Sequence, residues 1–175
     1  MTFDELKQLI PSAIESKWNQ HPNGGGWVKN TAEVEYTAHI GDDALIFDSA
    51  RVYGNARVYG NAWIFGNAMV NEYAKVYGNT KVYGEAEVCG YTKIIDGNWG
   101  VTPFQLHGSK HFVSICAPGI LKIGCVEKDI NEWIETYRDI GRIHGYSEKE
   151  IWEYGEYIKL VYSLRNNPNV CGCRL

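Results

Sequence analysis

The sequence is short of several features that would fix its class at once. No apolar run approaches the roughly 18 residues that a membrane span requires. No charge of one sign dominates: 17 Lys and Arg face 21 Asp and Glu, a formal net charge of −4. That balance excludes coating nucleic acid by bulk charge and leaves room only for a local basic stripe. Cysteine is sparse and odd in number, with five residues at 89, 116, 125, 171 and 173. In a chain long enough to fold without staples, this predicts free thiols in a reducing cytoplasm. The first residues, MTFDELKQLI, are acidic where a secretory leader would be basic, so no leader is expected. There is no P-loop, no Gly-x-Ser-x-Gly and no His-Glu-x-x-His, so none of those chemistries is written in the chain.

Glycine and tyrosine are in excess: 19 Gly and 12 Tyr in 175 residues. Average usage of about 7% would give roughly 12 glycines. A three-residue period is missing, so the surplus is not collagen-like. Hydrophobic residues make up 45% and charged residues 22%, a globular composition in a length that suits one domain with an appendage.

The surplus lies in a repeat: VYGNAR, VYGNAW, IFGNAM, VYGNTK, VYGEAE. An aliphatic residue recurs every six positions at Val28, Val34, Ile40, Ile46, Val52, Val58, Ile64, Val70, Val76, Val82, Val88 and Ile94. Four residues after each comes a small one, from Ala32 and Ala38 through Thr80, Ala86 and Thr92. A helix turns 100° per residue, so a six-residue period would scatter the aliphatics around it. A strand keeps residues two apart on one face, so an even period suits short strands. Gly54-Asn55, Gly60-Asn61, Gly66-Asn67 and Gly78-Asn79 tolerate positive φ and mark the corners between them. Three hexads close one triangular coil of 18 residues. Twelve hexads make about four coils, stacked at about 4.8 Å into a prism roughly 19 Å tall.

This pattern resembles the hexapeptide-repeat family over Val28 to about Asp96. The resemblance implies a left-handed parallel β-helix. The run HPNGGGWV at 21–28, leading into VYGNA repeats, also resembles hexapeptide proteins encoded by phages and prophages. The expected organisation is mainly β. Residues 1–26 form an N-terminal helix and Gly-rich loop, 27–97 the β-helix, and 98–175 an α+β appendage.

Residues flanking each central aliphatic point outward, and an 18-residue stacking sorts them into three faces. The first displays Trp27, Leu45, Phe47, Trp63, Phe65 and Tyr83 beside Lys29 and Lys81. Such an apolar surface needs a cover, either the chain's own helices or another subunit. Family members pack as trimers through their prisms, so the resemblance implies a homotrimer. The second face is an ordinary solvated mixture, Glu33, Glu35, Arg51, Tyr53, Met69, Asn71, Glu87 and Cys89. The third sets a basic column, His39, Arg57, Lys75 and Lys93, beside Tyr59 and Tyr77. Like charges stacked about 5 Å apart repel unless an anion screens them. A phosphate, a nucleotide or an acidic protein surface would do so, with Tyr59 and Tyr77 stacking on a ring. A solvated face with cation stems lying over tyrosines is the competing reading.

The flanks read as helix and hairpin. Residues 1–20 suggest a helix capped by Thr2 and Glu5, with Phe3, Leu6, Leu9 and Ile10 as its apolar side. His111 to Cys116 and Ile120 to Cys125 around Ala117-Pro118-Gly119 suggest a hairpin over 111–125. Two helices follow, at about 129–144 and 148–165. The first runs from Asp129 with the stripe Ile130, Trp133, Ile134, Tyr137 and Ile140. The second starts from a Ser147/Glu150 capping box with Ile151, Tyr154, Ile158 and Val161. They are expected to pack on the prism, with Asn166-Asn167-Pro168-Asn169 closing the second.

The resemblance also implies chemistry to weigh. Hexapeptide enzymes transfer acyl groups from CoA or acetyl-CoA with a His as general base. His39 is the only His within the repeats, and no extruded loop interrupts the coils. Carbonic anhydrases of the family need three His for zinc, and the repeats hold one. His107, His111, Cys116 and Cys125, and the Cys171-Gly-Cys173 tail, are loosely spaced for a metal. The expectation is a cytoplasmic binding protein without cofactor or metal that takes an anionic ligand or a host protein, such as an inhibitor of antiviral defence. A CoA-dependent acyltransferase and a structural oligomerisation module are the alternatives.

Overall fold

A computed structural model describes residues 1–165. Cys171, Cys173 and the Asn166–Asn169 turn lie outside the described residues. Each aliphatic centre of the repeat sits in its own short strand, and the strands stack in parallel into three sheets. One sheet holds Trp27–Lys29, Leu45–Ile46, Trp63–Ile64 and Lys81–Val82. The second holds Glu33–Val34, Arg51–Val52, Met69–Val70 and Glu87–Val88. The third holds His39–Ile40, Arg57–Val58, Lys75–Tyr77 and Lys93–Ile95. Partners such as Val58 and Val76, or Ile46 and Ile64, are 18 residues apart. The result is a parallel β-helical prism of about four coils.

The physical cause is the pairing of one large and one small inward position per side. Ile40, Ile46, Val52, Val58, Ile64, Val70, Val76, Val82, Val88 and Ile94 are fully buried along the axis. So are the small residues from Ala38 to Ala86, with Thr80 and Thr92, where the chain turns and only a small side chain fits. Thr80 keeps its hydroxyl satisfied by donating to Tyr77 O at 2.5 Å. Rung-to-rung amide bonds, such as Arg57 N to Ala74 O at 2.9 Å, leave the middle coils without unpaired edges.

The two ends are closed differently. At the start, Trp18–Gln20 pairs antiparallel with Trp27–Lys29. The Asn23 side chain donates to Ala38 O at 2.9 Å, and Ile40 N donates to Asn23 O at 2.9 Å. At the finish, one further strand, Asn98–Trp99, pairs with Lys81–Val82. The register was expected to end after Asp96, yet it continues with a step of 17 residues that brings Trp99 over Val82. The Trp99 ring is fully buried and plugs the axis, its indole N–H donating to Asp96 O at 2.9 Å. Gln105 then closes the last coil, accepting from Cys89 N at 3.2 Å and donating to Glu87 O at 3.1 Å. Capping by side chains removes the open edge that a solenoid end would otherwise expose.

The flanks correct the sequence reading in detail. The first helix, α1, covers only Phe3–Leu9; its Thr2/Glu5 capping box forms, but Leu9 is exposed and Leu6 alone is fully buried. The expected hairpin is the middle of a four-stranded antiparallel sheet, Gln105–His107, Phe112–Ala117, Ile120–Ile123 and Val126–Asp129. Helices α2 (Ile130–Ile143, capped by Asp129) and α3 (Glu148–Leu164, with the Ser147/Glu150 box) follow. They rest on this sheet instead of on the prism: α2 packs against Ile120–Ile123 and Val126–Asp129, and α3 packs against α2. Trp133 fixes the contact by donating to Leu121 O at 2.7 Å. Among the described residues no helix is long and apolar enough to cross a membrane.

Candidate ligand-binding groove

The apolar first face is partly covered by the chain itself. Leu6, Ala13 and Trp18 pack over Trp27 and Leu45, which are buried. Phe3 meets Trp27 edge-on at 5.6 Å, and the Trp27 indole donates to Met1 O at 3.1 Å. The cover stops near Phe47. Below it a ladder continues, Phe47 on Phe65 at 5.0 Å and Phe65 on Tyr83 at 5.2 Å, all half-buried. Lys81 lies over the Trp63 ring at 4.7 Å.

The basic third face does not act as one column. His39 belongs to the top of the prism, its Nδ1 at 3.1 Å from Asn23 Oδ1. Arg57 and Lys75 are exposed and have no ion pair among the described residues. Lys93 Nζ is 2.7 Å from Glu127 Oε1, and Lys122 Nζ reaches the same oxygen at 3.4 Å. Burial of Glu127 opposes ionisation, but the hydrogen bond and charge of Lys93, with the charge of Lys122, win and hold its carboxyl below the usual range. Tyr59 and Tyr77 stack on each other at 4.9 Å, 2° from parallel, so the two facing surfaces are spent. The expected stacking of a ligand ring is thereby confined to the outer surfaces of that pair.

What the structure assembles is a groove between this face and the C-terminal sheet. Its volume is about 650 Å³. The prism contributes Lys75, Lys93, Tyr59 and Tyr77, with a second stacked pair, Tyr73 and Tyr91, at 5.1 Å. The sheet and its turns contribute Lys110, Lys122, His107, His111, Phe112 and Ser114. Among the described residues no carboxylate lines it. The turn bearing Lys110 and His111 is held from behind: Tyr154 of α3 accepts from Lys110 N at 2.9 Å. Glu153 accepts from Ser109 N at 2.8 Å. The Ser109 side chain and amide depress the Glu153 carboxyl pKa, which keeps that acceptor charged. His107 Nδ1 donates to Gly108 O at 3.0 Å.

Sequence reasoning named Tyr59, Lys75, Tyr77 and Lys93 here. It missed Tyr73 and Tyr91, whose 18-residue separation already placed them one above the other. It also missed Lys110 and Lys122, which arrive only when the C-terminal sheet docks. His107 and His111 meet no third ligating group: among the described residues no three His, Cys, Asp or Glu side chains stand close enough to share a metal ion. Cys116 is buried, its thiol pushed up to about 11 by desolvation, so it is a packed thiol at neutral pH.

Residues 50–64 match the model of a family described as YdcK Beta solenoid repeat. The repeat is of the β-solenoid type. The matched stretch contains the aliphatic centres of three hexads, Val52, Val58 and Ile64, and the same register carries the solenoid from Val28 to Ile94. Comparison with curated proteins and comparison with solved structures both gave no match.

Proposed function

We propose that this solenoid works by binding, and that it holds an anionic small molecule in the groove. The observation that carries this is the lining itself. Four lysines converge there, and among the described residues the carboxylates paired with them are Glu127 and Glu150. Two positive charges are left over, in a chain whose net charge is −4. Phosphate-bearing ligands offer the matching charge and acceptor oxygens. The phage-like character of residues 21–28 and their repeats fits a protein that withdraws such a ligand, or a host protein, from antiviral defence. Calorimetry with inorganic tripolyphosphate at low salt tests the reading. Binding is expected, weakened about tenfold or more by Lys75→Glu, since one charged hydrogen bond of this kind contributes about 1.5–3 kcal/mol. No measurable heat with the wild-type protein would sink it. CoA and acetyl-CoA in the same titration address acyl transfer: binding of neither would end that reading, and CoA-dependent turnover lost in His39→Ala would favour it.

A second reading is favoured by one feature, the half-buried Phe47–Phe65–Tyr83 ladder left below the N-terminal cover. It suits association of prisms into a homotrimer. Sedimentation should then give three times 19.8 kDa, reduced by Phe65→Lys. A wild-type monomer at tens of micromolar would rule it out.

A further inference from the structure

We propose that the groove's ligand is a nucleoside di- or triphosphate whose base completes the tyrosine ladder above Tyr59; this rests on the anion-binding reading of the groove. Residues 41, 59, 77 and 95 form one outward column of the third sheet, linked by Gly41 N to Val58 O at 2.8 Å and Tyr59 N to Val76 O at 3.0 Å. Ile95 stands beside Tyr77 in the next rung, and Lys93 Nζ lies 5.3 Å from the Tyr77 ring centre. The outer surface of Tyr77 is therefore in use. On the other side the column continues as Gly41, which carries no side chain. Among the described residues no ring and no cation stacks on that surface of Tyr59.

Gly41, itself buried beneath the Gly-rich loop, sends no side chain over the Tyr59 ring. A Cβ at this position would stand 2.9 Å from Tyr59 Cβ, so the close approach of the backbone to the root of the Tyr59 side chain depends on glycine. The Gly-rich loop closes the top of the column, Gly25 bridging to Gly41. A planar ring laid on the outer surface of Tyr59 would meet it at the spacing the ladder already uses, 4.9 Å. Stacking of this kind tolerates any base, because every base has a π-face.

The charges then set the length of the ligand. Arg57 lies one rung below the Gly41 level and Lys75 one rung further. Two rungs are about 10 Å, the reach from a base to its second or third phosphate and beyond that of the first. Lys110 and Lys122 line the same groove as Lys75. The cavity, about 650 Å³, lies in the range of a single small-molecule site, and the C-terminal sheet closes one side. A free nucleotide is thus favoured over a nucleic acid strand.

The test compares ATP with inorganic tripolyphosphate, which has the anion without the ring. ATP is expected to bind about tenfold or more tighter, the contribution of one stacked base. Tyr59→Phe should keep that ratio and Tyr59→Leu should bring it close to one, with thermal melting used to verify that both variants fold. Equal wild-type affinities for ATP and tripolyphosphate would overturn the ring site while leaving the anion groove intact, and this readout needs no variant. A ratio that survives Tyr59→Leu would overturn it as well. Failure of both compounds to bind removes the anion groove, and the ring site with it.

Discussion

Residues 48, 54, 60, 66, 72, 78, 84, 90 and 96 all have φ between +57° and +74°. Six are glycine; Asp48, Glu72 and Asp96 are not. The left-handed region costs a residue with a Cβ roughly 1–2 kcal/mol, and the two aspartates return part of it. Asp96 Oδ1 accepts from Asn79 N at 2.7 Å, and Asp48 Oδ2 from Gly66 N at 3.3 Å. Glu72 has no such bond to the corner beside it. Glu72→Gly is therefore expected to raise stability by up to about 1 kcal/mol. Gly66→Ala should lower it by about 2 kcal/mol, since its Cβ would also sit 2.9 Å from Gly84 N. Urea unfolding reads both, and a stabilised Gly66→Ala would contradict the corner rule. At this scale the sequence was plain to read. The alternation of one β-branched and one small residue is a packing instruction repeated at every turn, and the VYGNA corners name their own backbone geometry.

Elements outside the repeat were legible by type but not by placement. The caps of α1, α2 and α3 each sit where Thr2, Asp129 and Ser147 announce them. Caps are local hydrogen bonds, so local sequence carries them. The surfaces that α2 and α3 cover are set by a sheet whose outer strands, Gln105–His107 and Val126–Asp129, are short and lack a clear period. Those helices therefore turned out to sit on the sheet. Glu127, in the last of these strands, joins the two units by pairing with Lys93 of the prism and Lys122 of the sheet. Its carboxyl titrates below its ordinary range, so its contribution to stability is complete above about pH 4.3 and is lost as pH falls through the lower folded value. Glu150 and Glu153 are shifted in the same direction by Ser147 and Ser109. The urea midpoint should drop between pH 6 and pH 3, and drop less in Glu127→Gln. Parallel pH profiles for the two proteins would show that the bridge carries no stability.

For the whole molecule, the two ways in which side chains come together explain what could be read in advance. The prism joins residues 18 apart, a fixed interval, so its three outer faces follow from arithmetic alone. The groove joins Lys75 to Lys110 and Lys122 through an interface with no interval at all. Only half of it was visible for that reason, and the visible half looked like a basic column awaiting a partner. The partner for part of that charge is internal: Glu127 neutralises the bottom of the column, leaving Arg57 and Lys75 facing outward near the Tyr59 ladder. The cover of the first face divides in the same manner, the chain supplying α1 and Trp18 above and leaving Phe65 and Tyr83 half-exposed below.

The 17-residue step at Trp99 carries a consequence for how such a molecule changes length. Every coil before it is interchangeable with its neighbour, whereas Trp99 and Gln105 fit only the last one, and Asn23 only the first. The chain is thus a ruler with two distinct end stops. Inserting or deleting one 18-residue unit between them lengthens or shortens the scale by a single graduation and leaves both stops intact. Because the C-terminal sheet hangs from the lower stop and the Gly41 rung from the upper, each graduation would alter the distance between that rung and the sheet's lysines by about 4.8 Å. The number of coils is then a gauge for the length of ligand the groove accepts.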